Sequence, residues 1–214
     1  MNNTVRTTCL IKPIHLMLML LVLLLTACTT QRPEAVVKVY DFGLLPPVPT
    51  VAGAPQSSLV TVALFEPQVS PALEGSAVLY RLLYAEAQQL KPYALTRWST
   101  APAQLINQRL RQQLGLQAAV VAPGEGVARF NLRLVLEEFS QVFETPTQSH
   151  GLVRLHATLT KRNTGGEVLL AQQNFVVRQP APTADALGAV RALTTASDQA
   201  IAQVTAWLDL SGRP

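Results

Sequence analysis

Hydrophobic and polar positions trade places every second residue along much of this chain, as strands with one wet face require. Val36–Leu44 alternates Val37 and Val39 with Lys38, Tyr40 and Phe42 and predicts a first strand. Leu59–Phe65 and Ala118–Val121 predict two more, and Val78–Tyr84 with the short piece Pro92–Leu95 predicts a hairpin. From Ala128 to Phe139, Phe130, Leu132, Leu134 and Leu136 point one way, while Asn131, Arg133 and Glu137 point the other and Val135 breaks the alternation. Gly151–Lys161 sets Val153, Leu155, Ala157 and Leu159 against Arg154, His156, Thr158 and Thr160, and Asn163-Thr164-Gly165-Gly166 turns it into Val168–Val177. These last three strands predict an antiparallel meander.

Two segments carry helical spacing instead. In Ala101–Leu114, Leu105, Ile106, Leu110 and Leu114 form one face, with Arg109, Arg111 and Gln112 elsewhere. Ser99 or Thr100 is the expected cap, Pro102 fits the first turn and Gly115 closes the helix. Ala184–Leu208 keeps Leu187, Val190, Leu193, Ser197, Ile201, Val204 and Leu208 at three- and four-residue intervals, with Thr183 as cap and Asp185 in the first turn. Its many alanines suit close packing on a sheet. Pro46, Pro47, Pro49, Gly53 and Pro55 forbid regular structure between the first two strands, Pro67 and Pro71 bracket a loop, and Pro123–Gly126 reads as a turn. The order of elements predicts a single α+β domain over 36–210, a mostly antiparallel sheet with two main helices packed on it.

The N-terminus follows another logic. Arg6 and Lys12 precede Leu16–Leu25, an unbroken run of ten apolar residues, and Thr26-Ala27-Cys28 supplies small residues. Ten residues of helix span about 15 Å, half of the roughly 30 Å hydrocarbon thickness, so residues 1–27 read as a signal peptide. Leu25-Thr26-Ala27-Cys28 resembles the bacterial lipobox, which implies a diacylglyceryl thioether on Cys28 and cleavage in front of it. Residues 28–35 then form a lipidated tether, and Thr29, where a sorting rule would look for Asp, favours the outer over the inner membrane.

Composition narrows the function. Of 214 residues, 49% are hydrophobic and 14% charged, which excludes a disordered chain. Losing Arg6 and Lys12 with the leader lowers the formal charge from +4 to +2, too little for a nucleic-acid partner. The cysteines are Cys9, inside the leader, and Cys28, so the mature domain has no disulfide. The chain also lacks a G-x-S-x-G nucleophile elbow and a P-loop lysine, and Gly124-Glu125-Gly126 has the wrong spacing for a dinucleotide. His150 and His156 are the only imidazoles of the mature chain, with Glu144 the one carboxylate placed to join His150 in a metal site. Three such ligands do not make a site by spacing, and neighbouring Glu137 and Glu138 point to opposite faces of a strand and cannot act as an acid/base couple. No enzyme, metal or cofactor is expected.

Several dispersed segments together resemble the ABC-type transport auxiliary lipoprotein family, the PqiC-like lipoproteins that accompany MCE-protein lipid transporters. They are Tyr40-Asp41-Phe42-Gly43, the run Leu73-Glu74-Gly75-Ser76-Ala77-Val78-Leu79-Tyr80-Arg81, Tyr93, Arg97-Trp98, Pro102-Ala103-Gln104-Leu105, Phe139-Ser140-Gln141-Val142-Phe143 and Ala189–Trp207. The resemblance implies a non-catalytic, lipid-anchored periplasmic component of an intermembrane lipid transport system, partnered by an MCE-domain protein and an ABC permease and ATPase, and leaves homo-oligomerisation open. A stand-alone lipid-binding carrier is the alternative. Tyr80, Tyr93 and Trp98 read as core aromatics, with Arg97 covering Trp98 or pairing with Glu86. Phe139, Ser140, Gln141, Val142 and Phe143 read as an exposed strand end able to bind a partner by β-addition.

Cys28→Ser is expected to abolish acyl labelling in cells grown with a tagged fatty acid and to leave the precursor uncleaved by the lipoprotein pathway.

Overall fold

A computed structural model describes residues 35–45, 60–126 and 128–211. The leader, Cys28, the tether as far as residue 34 and the proline-rich segment from Pro46 to Pro55 lie outside these residues. Val37–Pro214 forms one compact unit, described here by itself.

The strands are β1 (Lys38–Tyr40), β2 (Thr61–Leu64), β3 (Gln68–Val69), β4 (Ala77–Leu82), β5 (Glu86–Trp98), β6 (Ala119–Val121), β7 (Phe130–Phe143), β8 (Ser149–Asn163) and β9 (Gly166–Pro180). The helices are α1 (Pro102–Leu114) and α2 (Ala186–Ser211), with a single 3-10 turn at Pro71–Leu73. All nine strands share one sheet, and β7 is its spine. β8 lies along one side of β7, while β2 and β3 take the first half of the other side and β4 the second. β6 completes the β2 side and β5 and β1 the β4 side, so β1 is an edge strand. The architecture is α+β. The long ladders β7–β8, β8–β9 and β4–β5 are antiparallel, but the short pairings of β1, β2, β3, β4 and β6 with their parallel neighbours make the sheet mixed.

Strand β5 is much longer than Pro92–Leu95 suggests. Pro92 sits opposite Leu79 of β4 on a stretch that β1 does not reach, so its missing N–H breaks no ladder on the outer side. β7 also runs past Phe139 because of a bulge: Leu136 faces Leu155 and Glu138 faces Arg154, leaving Glu137 as an extra residue. The bulge switches the buried parity from Leu132, Leu134 and Leu136 to Phe139. It also puts the exposed Glu137 and the half-buried Glu138 together on the outer side rather than on opposite faces, with Glu138 bonded to Arg81 at 3.3 Å.

Both helices cover the inner face of the sheet. The N-cap of α1 is Ala101 rather than Ser99 or Thr100, and no side chain caps the helix. Thr100 instead bonds to the Gln104 side chain. The N-cap of α2 is Asp185, whose Oδ1 accepts from the Gly188 N–H at 2.7 Å, and Thr183 only donates its hydroxyl to that carboxylate. These bonds, that from Gly188 foremost, hold the Asp185 carboxyl below its usual range. Ala189, Ala192, Ala196 and Ala200 of α2 are buried with Leu193, Ile201 and Val204. The helix backbone comes so near β8 that a Cβ at Gly151 would lie 2.8 Å from the Ala192 carbonyl carbon and the Leu193 nitrogen.

Gly151→Val is therefore expected to push α2 off the sheet and lower stability by about 1–3 kcal/mol, read as a shifted urea midpoint.

Candidate functional site

The turn Asp41-Phe42-Gly43 leaves the edge strand β1 and drops into the core. Asp41 Oδ1 accepts the Gly43 N–H at 2.8 Å, and Gly43 adopts φ 66°, a conformation that its missing Cβ permits. Phe42 is buried edge-on to Trp98, with ring centroids 5.6 Å apart, and stacks on Phe139 at 6.3 Å. Trp98 in turn meets Phe139 at 5.6 Å. Trp98 is a core residue, as its size suggests, while its neighbour Arg97 is exposed on the opposite face of β5 and neither covers it nor pairs with Glu86.

Arg109 of α1 holds this turn from beneath. It is buried, at 3% exposure, and lies on the apolar face of the helix rather than elsewhere. Its Nη2 donates to the carbonyls of Phe42 and, at 3.1 Å, Gly43, and its guanidinium lies 5.9 Å from the Phe42 ring centroid. Nε stands 3.3 Å from Asp198 of α2, an ion pair by distance without the alignment of a hydrogen bond. Burial raises the Asp198 pKa and Arg109 opposes that shift. The signal for Arg109 was its place three residues after Ile106 and four after Leu105, on the buried stripe itself. Nothing in the sequence pointed to Asp198.

Beside the turn, an open cleft of about 550 Å³ runs between the Val39–Gly43 edge and α2, bordered also by Ser99. Val190, Arg191, Thr194 and Thr195 line the helix side. Among the described residues β1 pairs only with β5, so the cleft meets a free strand edge as well as a guanidinium and two hydroxyls. That set can hold an extended chain or a polar group, and it presents no nucleophile with a base beside it.

Phe139, Ser140, Gln141, Val142 and Phe143 are not an exposed strand end. All five are buried, β8 pairs with all of them through Ser149–Val153, and Tyr80, Arg81 and Leu82 of β4 take the other edge along Gln141–Phe143. The free backbone that β-addition needs is already used. Gln141 is instead an internal polar link: it accepts from the Tyr93 hydroxyl, donates to Ser149 Oγ at 2.8 Å, and reaches the Thr183 carbonyl at 3.5 Å. Burial, helped by Tyr80 and Asp185, pushes the Tyr93 pKa upward and keeps its hydroxyl a donor. His150 approaches Glu144 at 3.4 Å and His156 bonds Asn174 at 2.6 Å, six residues apart on β8 with separate partners. Burial lowers the His150 pKa against the pull of Glu144. Among the described residues, no three metal-ligating side chains converge.

Arg109→Met should cost about 2–4 kcal/mol, because two turn carbonyls lose their donor and Asp198 its counter-charge. Gln141→Leu should cost about 1–3 kcal/mol by stranding the Tyr93 hydroxyl. Denaturant titration measures both, and any loss of partner binding should track the loss of folded protein.

The comparisons agree with this architecture. The model of the ABC-type transport auxiliary lipoprotein component matches residues 42–205. Among curated proteins, none matches the chain. The crystal structure of a Xanthomonas campestris protein of family DUF330 superposes with a TM-score of 0.67 at 15% identity, covering 82% of this chain and 96% of that one. A crystal structure of an uncharacterised protein gives 0.58 at 14% identity, covering 81% and 99% respectively. At such identities these likenesses speak for the fold, whereas the family match spans from the Phe42 turn to the last turns of α2. This chain belongs to the family of ABC-type transport auxiliary lipoprotein components.

Proposed function

We propose that the protein is a lipid-anchored, non-catalytic periplasmic component of an MCE/ABC-type system that carries lipids or other hydrophobic molecules between membranes. Its task is to dock the periplasmic assembly to a membrane, the outer membrane being favoured by Thr29. The observation that carries this reading is the family match over residues 42–205 in a chain whose N-terminal run ends in Leu25-Thr26-Ala27-Cys28. A separate ATPase and permease supply the energy and the passage, and an MCE-domain protein is the partner that the lipoprotein meets. In this reading the attachment is acylated Cys28, and among the described residues no helix is long and apolar enough to cross a membrane. One acyl chain binds reversibly, while the two or three chains of a bacterial lipoprotein hold firmly.

A stand-alone carrier would enclose its cargo in an apolar chamber. Here Leu132, Leu134, Leu136, Val153, Leu155, Leu193 and Ile201 fill the space between sheet and helices at 0–1% exposure. The cleft beside β1 is open and bordered by Asp41, Arg191 and threonines. A filled core with an open margin suits an adaptor better than a carrier.

Affinity purification of the tagged full-length lipoprotein from crosslinked cells is expected to recover an MCE-domain protein and a permease, and Cys28→Ser to reduce that recovery. Recovery of lipid-loaded protein free of any membrane partner would support the carrier instead.

A further inference from the structure

We infer that the outer face of β1 and of the adjoining end of β5 is a membrane-seating surface, which lays the domain on the bilayer surface that holds its lipid. The inference rests on the anchoring of Cys28. Val39 pairs with Arg97, and Val37 and Leu95, two positions earlier in their respective chains, share that parity. This is the face away from the core, since Tyr40 and its partner Trp98 point inward. Val37 is 42% exposed, Val39 62% and Leu95 44%. Three apolar side chains therefore stand together in water: Val39 on β1, Val37 just before it, and Leu95 on β5, the one strand that β1 pairs with among the described residues.

Two observations select a bilayer as the occupant. The first is chain length. Seven residues, Thr29–Ala35, separate Cys28 from Val36, and at about 3.5 Å per residue they reach at most about 25 Å. β1 is thus confined to the neighbourhood of the headgroups, and a short link of this kind gives effective concentrations in the mM range. A patch too weak to bind membranes alone becomes effective once the lipid has delivered it. The second is charge. Arg97, the partner of Val39 on this same face, is exposed and forms no ion pair among the described residues. Apolar side chains around an unpaired guanidinium match an interface of acyl chains beneath anionic headgroups.

The test uses the mature lipoprotein reconstituted in vesicles of phosphatidylethanolamine and phosphatidylglycerol. Thioether linkage blocks Cys28 and Cys9 leaves with the leader, so Val39→Cys and, separately, Leu116→Cys each carry one free thiol for an environment-sensitive fluorophore. Leu116 is an exposed residue just beyond α1, on the helix-bearing side. Nitroxide-labelled lipid is expected to quench the label at position 39 several-fold more than at 116. Adding Arg97→Glu should bring the two together, with circular dichroism unchanged. Equal, low quenching at both positions in protein that floats with the vesicles would overturn the seating and leave the anchor standing. Protein that does not float with the vesicles would overturn the anchor, and the seating with it.

Discussion

The buried guanidinium of Arg109 is the constraint on which the assembly of sheet and helices turns. β1 contributes three residue pairs to β5, too few to hold an edge strand. What fixes it is the turn that follows, where Phe42 enters the core and the carbonyls of Phe42 and Gly43 face inward. Buried carbonyls need donors, and a buried cation needs partners that compensate its lost hydration. Arg109 meets both demands, because its planar fork addresses two carbonyls through one nitrogen and Asp198 through another. A lysine has one compact head and would satisfy only part of this set. The first strand, α1 and α2 are joined through a single side chain.

Strand β7 has the complementary role of serving two environments along one backbone. Ahead of Glu137 it presents leucines to α1 and α2, and beyond it Phe139 to the aromatic group formed with Phe42 and Trp98. Without the extra residue, the parity that buries Leu136 would turn Phe139 outward. The bulge also sets Glu138 beside Arg81, which ties β4 to β7 across the outer face. Farther along, Gln141 joins β5, β7 and β8 to the approach to α2 through hydrogen bonds with Tyr93, Ser149 and Thr183.

Periodicity made the meander, both helices and the α+β class legible, because each rests on local repeats of apolar residues. Asn163–Gly166 likewise announced its hairpin, which closes with Asn163 opposite Gly166. The rest depended on contacts distant in sequence. Alternation stops at Glu137, and only the partner strand reveals that the residue is an insertion rather than the end of β7. Ser140 and Gln141 resembled a polar strand end, but both are buried, with β8 along one edge and β4 on the other from Gln141 onward. Pro92 hid the length of β5, since the harmlessness of its missing donor depends on how little of β5 the edge strand β1 covers. Arg109 was read by charge when its spacing placed it inside, and Asp198 gave no local sign because its partner lies on the other helix.

The direction of β1 carries a mechanical consequence. The chain enters the domain at the N-terminal end of this strand, so a load arriving from the N-terminal side pulls along β1, parallel to β5. The strand is thereby loaded in shear, with its backbone bonds strained together rather than opened one after another. Behind it, the Ser99 N–H to Tyr40 carbonyl bond, at 2.7 Å, and the wedged Phe42 ring stand in series as the next points of resistance. Against a load from the N-terminal side, the Phe42 turn is a stopper, and Arg109 keeps it from being drawn through.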